Sequence, residues 1–258
     1  MSEHAKELEF AKEIAKQAGE IILQNFSKTA LAVEWKEDNT PVTLADKEIN
    51  KLVIDRVKSK FPEDGVLGEE ESYLQNQNRL WVVDPIDGTQ PFSIGVPLST
   101  FSLGLVIGDK AVLGVVYDPF QDRLYWSSGS GAFLGGKELI VSNSPDLSQN
   151  YVVLSSRMGG EYMETGAALD AIIKADGKVF NFRSIIYGLM LVATGKAVAA
   201  VAGYCQPWDL AAALPILNGC GAKVTDFDGK VINYNDVSNG ILVTNGKVHE
   251  QMLELIST

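Results

Sequence analysis

Three short segments of this sequence put acidic side chains at the borders of apolar runs. Residues 80–89, Leu-Trp-Val-Val-Asp-Pro-Ile-Asp-Gly-Thr, carry Asp84 and Asp87 at the end of a buried-strand pattern. There Pro85 interrupts regular continuation, and Gly88 lets the backbone approach a ligand closely. Upstream, Gly68-Glu69-Glu70-Glu71 follows Val66-Leu67, and downstream Trp208-Asp209-Leu210-Ala211-Ala212-Ala213 opens a small, apolar helix with an aspartate. Singly, each has an ordinary explanation: a solvated turn, an exposed helix start, and an N-cap aspartate. Together, Glu69, Asp84, Asp87 and Asp209 form an all-oxygen, anionic set with no histidine or thiolate nearby. Hard divalent cations such as magnesium or manganese want such ligands, and so many buried carboxylates are costly without a counter-ion. Strand ends are also where sites gather in α/β proteins.

Composition narrows the chemistry further. The chain has 258 residues, 46% hydrophobic and 21% charged, with 24 glycines and 9 prolines, and its mean hydropathy is +0.04. This is enough for one large core or two joined smaller ones, and it excludes disordered or collagen-like polymers. Twenty-two basic against 33 acidic residues give a net charge of -11, a field that repels nucleic-acid polymers and anionic membranes. His4 and His249 sit near opposite ends of the chain, which disfavours zinc proteases, histidine-activated hydrolases and haem proteins. Cys205 and Cys220 lack metal-site spacing and read as buried apolar residues in a reducing cytoplasm. Charges through the first 13 residues interrupt any signal-peptide core, and the run 189–202 is broken by Thr194, Gly195 and Lys196. It reads as a buried helix or a helix-to-strand passage rather than a membrane span.

The elements that must position these residues follow from periodicity. Apolar residues at helical spacing predict helices over 3–26 and 43–61, separated by a polar loop at 36–41. Strands are expected at 80–83, 101–107, 112–117 and 124–126, the middle two forming a hairpin around Gly108-Asp109-Lys110. A polar stretch at 143–150 marks a subdomain boundary, giving parts 1–147 and 148–258. Beyond it, strands at 151–155, 180–182, 197–201, 223–226 and 240–244 alternate with helices at 161–175, 187–194, from 209, and 247–256. The expected class is α/β (α+β), with layers of helix and mixed sheet.

These segments, read in order, resemble the inositol monophosphatase family of metal-dependent phosphomonoesterases. Gly68-Glu69-Glu70 is similar to its G-E-E motif, and Asp84-Pro85-Ile86-Asp87-Gly88-Thr89 matches its D-P-I-D-G-T core. Trp208-Asp209-Leu210-Ala211-Ala212 with Gly221-Ala222 resembles its W-D-x-A signature, and 41–46, Pro-Val-Thr-Leu-Ala-Asp, its P-V-T-x-A-D segment. The resemblance spans about residues 8–250 and implies a layered αβαβα sandwich of the inositol monophosphatase and fructose-1,6-bisphosphatase type. It implies Mg2+ as cofactor, two or three ions, with Mn2+ as substitute and Li+ as inhibitor. The implied metal ligands are Glu69, Asp84, the Ile86 carbonyl, Asp87 and Asp209. Phosphate and substrate contacts fall to Gly88, Thr89, Asp87 and Asp209. Glu69 and Thr89 would orient the attacking water, with Asp46 supporting Thr89, while Lys36 and Asp38 lie on a mobile loop. The expected partner is a small phosphate ester, and the expected assembly a cytoplasmic homodimer.

Some positions depart from the family pattern. Pro91 replaces the common asparagine of D-G-T-x-N-F, and Ala202 stands seven residues before Asp209, where inositol-specific members carry a glutamate. Residues 183–188, Arg-Ser-Ile-Ile-Tyr-Gly, resemble relatives acting on histidinol phosphate. These departures weaken inositol specificity; inositol monophosphate stays the lead substrate only because it is the commonest in the family that the chain resembles, with histidinol phosphate, fructose 1,6-bisphosphate and 3'-phosphoadenosine 5'-phosphate as alternatives. A non-catalytic regulator on the same fold is a further alternative, disfavoured by the retained Glu69, Asp46 and Thr89. Residues 131–137 fit G-x-x-x-x-G-K, yet Glu138 replaces the required hydroxyl residue and no helix follows, so a P-loop is rejected.

Overall fold

The computed structural model describes residues 4–26, 33–35, 41–155 and 165–257. Helix α1 (Ala5–Phe26) is followed by an antiparallel pair, β1 (Val33–Trp35) with β2 (Pro41–Thr43), and then by α2 (Leu44–Lys60). Next come β3 (Gly65–Gly68), β4 (Arg79–Asp87), the short α3 (Thr89–Ser93), β5 (Thr100–Ile107), β6 (Lys110–Asp118), β7 (Arg123–Ser127), β8 (Phe133–Leu134) and β9 (Lys137–Glu138). The remainder runs β10 (Tyr151–Ser155), α4 (Thr165–Lys174), β11 (Lys178–Phe180), α5 (Ile185–Ala193), β12 (Ala199–Ala202), α6 (Pro207–Ala211), α7 (Ala213–Gly219), β13 (Lys223–Thr225), β14 (Ile241–Thr244) and α8 (His249–Ile256). Among the described residues, β3 to β9 form a seven-stranded sheet in chain order, and a five-stranded sheet has the order β11-β10-β12-β14-β13.

The period-2 alternation of strand side chains assigns each sheet face to a layer. On β4, Trp81 and Val83 join a core with Ile14, Ile22, Ile49 and Val53 of α1 and α2. Leu80 and Val82 point the other way, into a core with Leu189 and Met190 of α5, Leu210 of α6 and Ile216 of α7. That middle layer also meets the second sheet through Ala200, Ala202 and Val243, while Ala199 and Val201 face Ile172 of α4 and Met252 of α8. The result is the expected αβαβα sandwich. Each fully buried aliphatic side chain contributes about 1.5–3 kcal/mol, so the layers are held chiefly by these three cores.

Several boundaries differ from the sequence reading, for local reasons. β4 does not stop at Val83 but continues through Asp84 and Pro85 to Asp87, with a register shift between Asp84 and Asp87 against β5. Proline is tolerated at such a bulge because the ladder there needs no donor from it. Helix α5 begins at Ile185, two residues earlier than read, since Ser184 in an extended conformation caps it and accepts from the Tyr187 amide. The Gly-rich segment 131–137 holds β8 and its turn at Gly135-Gly136 into β9 rather than opening a helix, as the rejection of a P-loop requires. The run 189–202 is the expected passage, from α5 into β12. His249 is a core residue, its ring held between the hydroxyls of Thr225 (3.0 Å) and Thr244 (2.9 Å). Burial, with Lys223 adding, lowers its pKa to about 4.

One feature of the larger sheet bears directly on the acidic segments. Gly104 of β5 and Gly114 of β6 are directly paired. A Cβ at Gly114 would lie 1.9 Å from the Ala212 carbonyl oxygen, and one at Gly104 would lie 2.7 Å from that of Ala211. The paired glycines therefore let the α6–α7 junction sit directly on the sheet, which fixes the height of Asp209 above it. Substituting Gly114→Ala forces the helix backbone outward. A loss of about 1–3 kcal/mol in urea unfolding is expected, with no comparable loss for Gly136→Ala, whose Cβ would meet nothing. Equal stability of the two variants would contradict this packing.

Candidate active site

The bulge in β4 decides where its carboxylates point. Asp84 opposes Ser102 and Asp87 opposes Thr100, so three residues of β4 span two of β5. Ser102 and Thr100 share a face, and cross-strand partners lie on the same side of a sheet. Without the extra residue, Asp84 and Asp87 would project from opposite faces. With it, both look toward the middle helical layer, where α6 carries Asp209. Ligating atoms of Asp84, Asp87 and Asp209 lie within 4.8 Å of one another, and all three residues are buried.

Each carboxylate is set by its own local structure. Asp209 is not an N-cap: Gln206 occupies that position, Pro207 starts the helix, and Asp209 at the third position accepts the Gln206 amide at 2.7 Å. Asp46 plays the same part at the start of α2, where its Oδ2 accepts the Thr43 amide (2.8 Å) and hydroxyl (2.5 Å). Glu69 leaves the end of β3, which runs parallel to β4 with Gly68 beside Val83, and its amide bonds the Val83 carbonyl at 3.2 Å. Gly88, in a left-handed conformation (φ 89°), turns the chain into α3, which begins at Thr89. The Thr89 hydroxyl donates to the Ile86 carbonyl at 2.9 Å, and no bond from it to Asp46 is present. Lys36 and Asp38 lie outside the described residues.

Sequence reasoning assigned no role to the donors around Asp87. The Ser184 hydroxyl donates to Oδ2, Ile185 N–H to Oδ1 at 3.0 Å, and Tyr187 N–H to Oδ2 at 3.2 Å. Thr100 adds a longer bond of 3.4 Å to Oδ2. The available signal was a serine immediately before an apolar helix, an N-cap pattern that does not reveal what else the hydroxyl serves.

The electrostatics are those of like charges crowded together and removed from water. Burial raises the Asp84 pKa well above the ordinary carboxylate range, and Glu69, Asp87, Asp209 and Asp46 add repulsion. Burial likewise pushes up Asp87, against the bonds from Ser184, Tyr187 and Ile185, and Asp209, beside Asp87. Asp46 rises to about 7 through burial, offset by its Thr43 bonds and reinforced by Glu69 and Glu70. Among the described residues, Asp84 Oδ1 and Asp46 Oδ1 are buried without a hydrogen-bond partner. Orphaned anionic oxygens beside an all-oxygen donor set fit a hard divalent cation. Ala202, in β12, contributes only a methyl group to the core of the middle layer.

Comparison with known proteins agrees with this geometry. The profile of the inositol monophosphatase family matches residues 3–258. The chain is 36% identical over 228 residues to a histidinol-phosphatase of Chlorobaculum parvum, covering 87% of each chain. It is 32% identical to inositol monophosphatase 1 of Solanum lycopersicum, covering 95% of this chain and 93% of that one. The solved structure of the Thermotoga maritima IMPase superposes with a TM-score of 0.90 at 28% identity, covering 98% and 97%. An inositol monophosphatase from Anabaena gives 0.84 at 27% identity, covering 98% and 95%. The fold and acidic site thus define a phosphomonoester hydrolase. The chain belongs to the inositol monophosphatase family.

The raised carboxyl pKa values predict an unusual pH dependence. The folded state holds protons that the unfolded chain releases, so metal-free stability is fully present at low pH. It is lost as pH climbs from the ordinary 3.8 through the raised values, about 7 for Asp46. A divalent cation displaces those protons. The rise in melting temperature on adding magnesium should therefore be small near about pH 5 and grow toward about pH 8. An increment that stays flat across this range would contradict the assignment.

Proposed function

We propose that this protein catalyses magnesium-dependent hydrolysis of small phosphate monoesters, with inositol monophosphate as lead substrate. The observation that carries the reading is the convergence of Asp84, Asp87 and Asp209 within 4.8 Å, buried beside unpartnered carboxylate oxygens. In this reading Glu69, Asp84, the Ile86 carbonyl, Asp87 and Asp209 hold two or three Mg2+, with Mn2+ as a substitute and Li+ as an inhibitor. Bound cations supply charge neutralisation for the phosphate and the departing alkoxide. The two parts of the chain, 1–147 and 148–258, act as subdomains, the second closing the site with Asp209.

The protein's own groups then place the water. The Thr89 hydroxyl spends its proton on the Ile86 carbonyl, so its oxygen is left to accept one hydrogen of the attacking water while the Glu69 carboxylate accepts the other. Asp46, whose Oδ1 is unpartnered, supports this pair from the start of α2. The amides of Gly88 and Thr89, at the opening of α3, bind the phosphate oxygens. Asp87 and Asp209 also border the space for the alcohol, and Lys36 and Asp38 belong to a mobile loop at its entrance. A homodimer working in a reducing cytoplasm completes the reading, the free buried thiols of Cys205 and Cys220 supporting that compartment. Among the described residues, no helix is long and apolar enough to cross a membrane.

Ala202 argues for relaxed alcohol recognition, because a methyl group cannot hold sugar hydroxyls as a carboxylate would. Histidinol phosphate is the second substrate to weigh, favoured by the 36%-identical histidinol-phosphatase. Phosphate release from a panel of esters, with magnesium and after exhaustive chelation, tests the proposal. Turnover should require the cation, and inositol 1-phosphate should not exceed every other ester by about a hundredfold. In the same assay Thr89→Ala should lose roughly a hundredfold or more in rate while still binding cation. Full turnover in chelator would overturn the proposed function.

A further inference from the structure

The Ser184 side chain lies 97 residues from Asp87 in sequence, yet its hydroxyl donates to Asp87 Oδ2. Oδ2 also accepts from Tyr187 N–H and, at greater length, from the Thr100 hydroxyl, whereas Oδ1 has one donor, Ile185 N–H. A carboxylate offers about four lone-pair sites, two per oxygen. Oδ2 is thus saturated by protein donors and Oδ1 keeps a lone pair. Asp84 Oδ1, by contrast, has no partner.

The surrounding backbone is shaped to allow this approach. Gly88 has no side chain, and a Cβ there would come within 3.1 Å of the Ser184 Cβ. Arg183, immediately before Ser184, sits in the left-handed region at φ 56°, a conformation costly for a side chain that large. Its amide bonds the Asn181 side chain at 3.0 Å, and its guanidinium reaches Gln90 at 2.8 Å, three residues beyond Asp87. The segments 87–90 and 181–187 are therefore tied at two points.

We propose that Ser184 is a positioning residue for Asp87: its hydroxyl occupies Oδ2 and so turns Oδ1 toward the cation. This inference rests on the reading of Asp84, Asp87 and Asp209 as a divalent-cation site. It adds a residue from the start of α5 to the apparatus that sets cation affinity.

The test separates this role from helix capping, because glycine caps a helix almost as well as serine but has no hydroxyl. Manganese and magnesium binding to wild type, Ser184→Gly and Ser184→Thr is measured by titration calorimetry, beside melting in chelator. Ser184→Ala replaces the glycine variant if that variant does not fold. Loss of the hydroxyl should weaken cation affinity by about ten- to a hundredfold, metal-free melting should fall only as far as the loss of one buried hydrogen bond requires, and Ser184→Thr should recover most of the affinity. Wild-type affinity in Ser184→Gly overturns the inference while leaving the proposed function standing, as does a Ser184→Thr variant as weak as Ser184→Gly. A wild-type protein that binds no divalent cation overturns both.

Discussion

Repulsion among buried carboxylates is the constraint on which this structure turns. Asp84, Asp87 and Asp209 crowd within 4.8 Å inside a chain already carrying a net charge of -11. Like charges that close, removed from water, either take up protons or recruit a cation. The raised pKa values of Asp46, Asp84, Asp87 and Asp209 are the first response, and the orphaned oxygens of Asp46 and Asp84 prepare the second. Both responses favour positive charge between these side chains, which is the basis of the proposed cation site. In the proposed reading, bound cations would also reconcile an acidic protein with an anionic substrate.

The fold supplies the force that holds the carboxylates together. Asp84 and Asp87 share a face because β4 carries one extra residue, and Asp209 reaches them because Gly104 and Gly114 let the α6–α7 junction lie on the sheet. Both Asp46 and Asp209 also close capping boxes, so each acid stabilises a helix start while facing the site. Local stability and site geometry thus depend on the same side chains, and the surrounding apolar layers absorb the electrostatic cost.

Much of this was legible in the residue pattern because the strongest signals are local. The buried run at 80–83, the hairpin around Gly108, and the amphipathic helices α1 and α2 declare themselves through periodicity. The four acids were legible as chemistry, since Glu69, Asp84 and Asp87 follow apolar segments and Asp209 opens one. What the pattern hid was long-range. Periodicity predicts that Pro85 ends the strand, whereas pairing with β5 carries β4 onward to Asp87. Asp209 reads as a cap, yet Gln206 takes that position and Pro207 starts the helix, leaving Asp209 third in α6. The Ser184–Asp87 bond joins residues 97 apart, and no local spacing encodes it. The short strands β8 and β9 are likewise products of pairing rather than propensity.

The central claim is that the buried acids exist to receive a divalent cation. Crystals of the protein soaked in manganese, measured for anomalous scattering at the manganese edge, test it most directly. The account predicts an anomalous peak bounded by the carboxylates of Asp84, Asp87 and Asp209, at manganese–oxygen distances of about 2.0–2.3 Å. A data set with manganese bound elsewhere on the acidic surface, and none between these three residues, would contradict it.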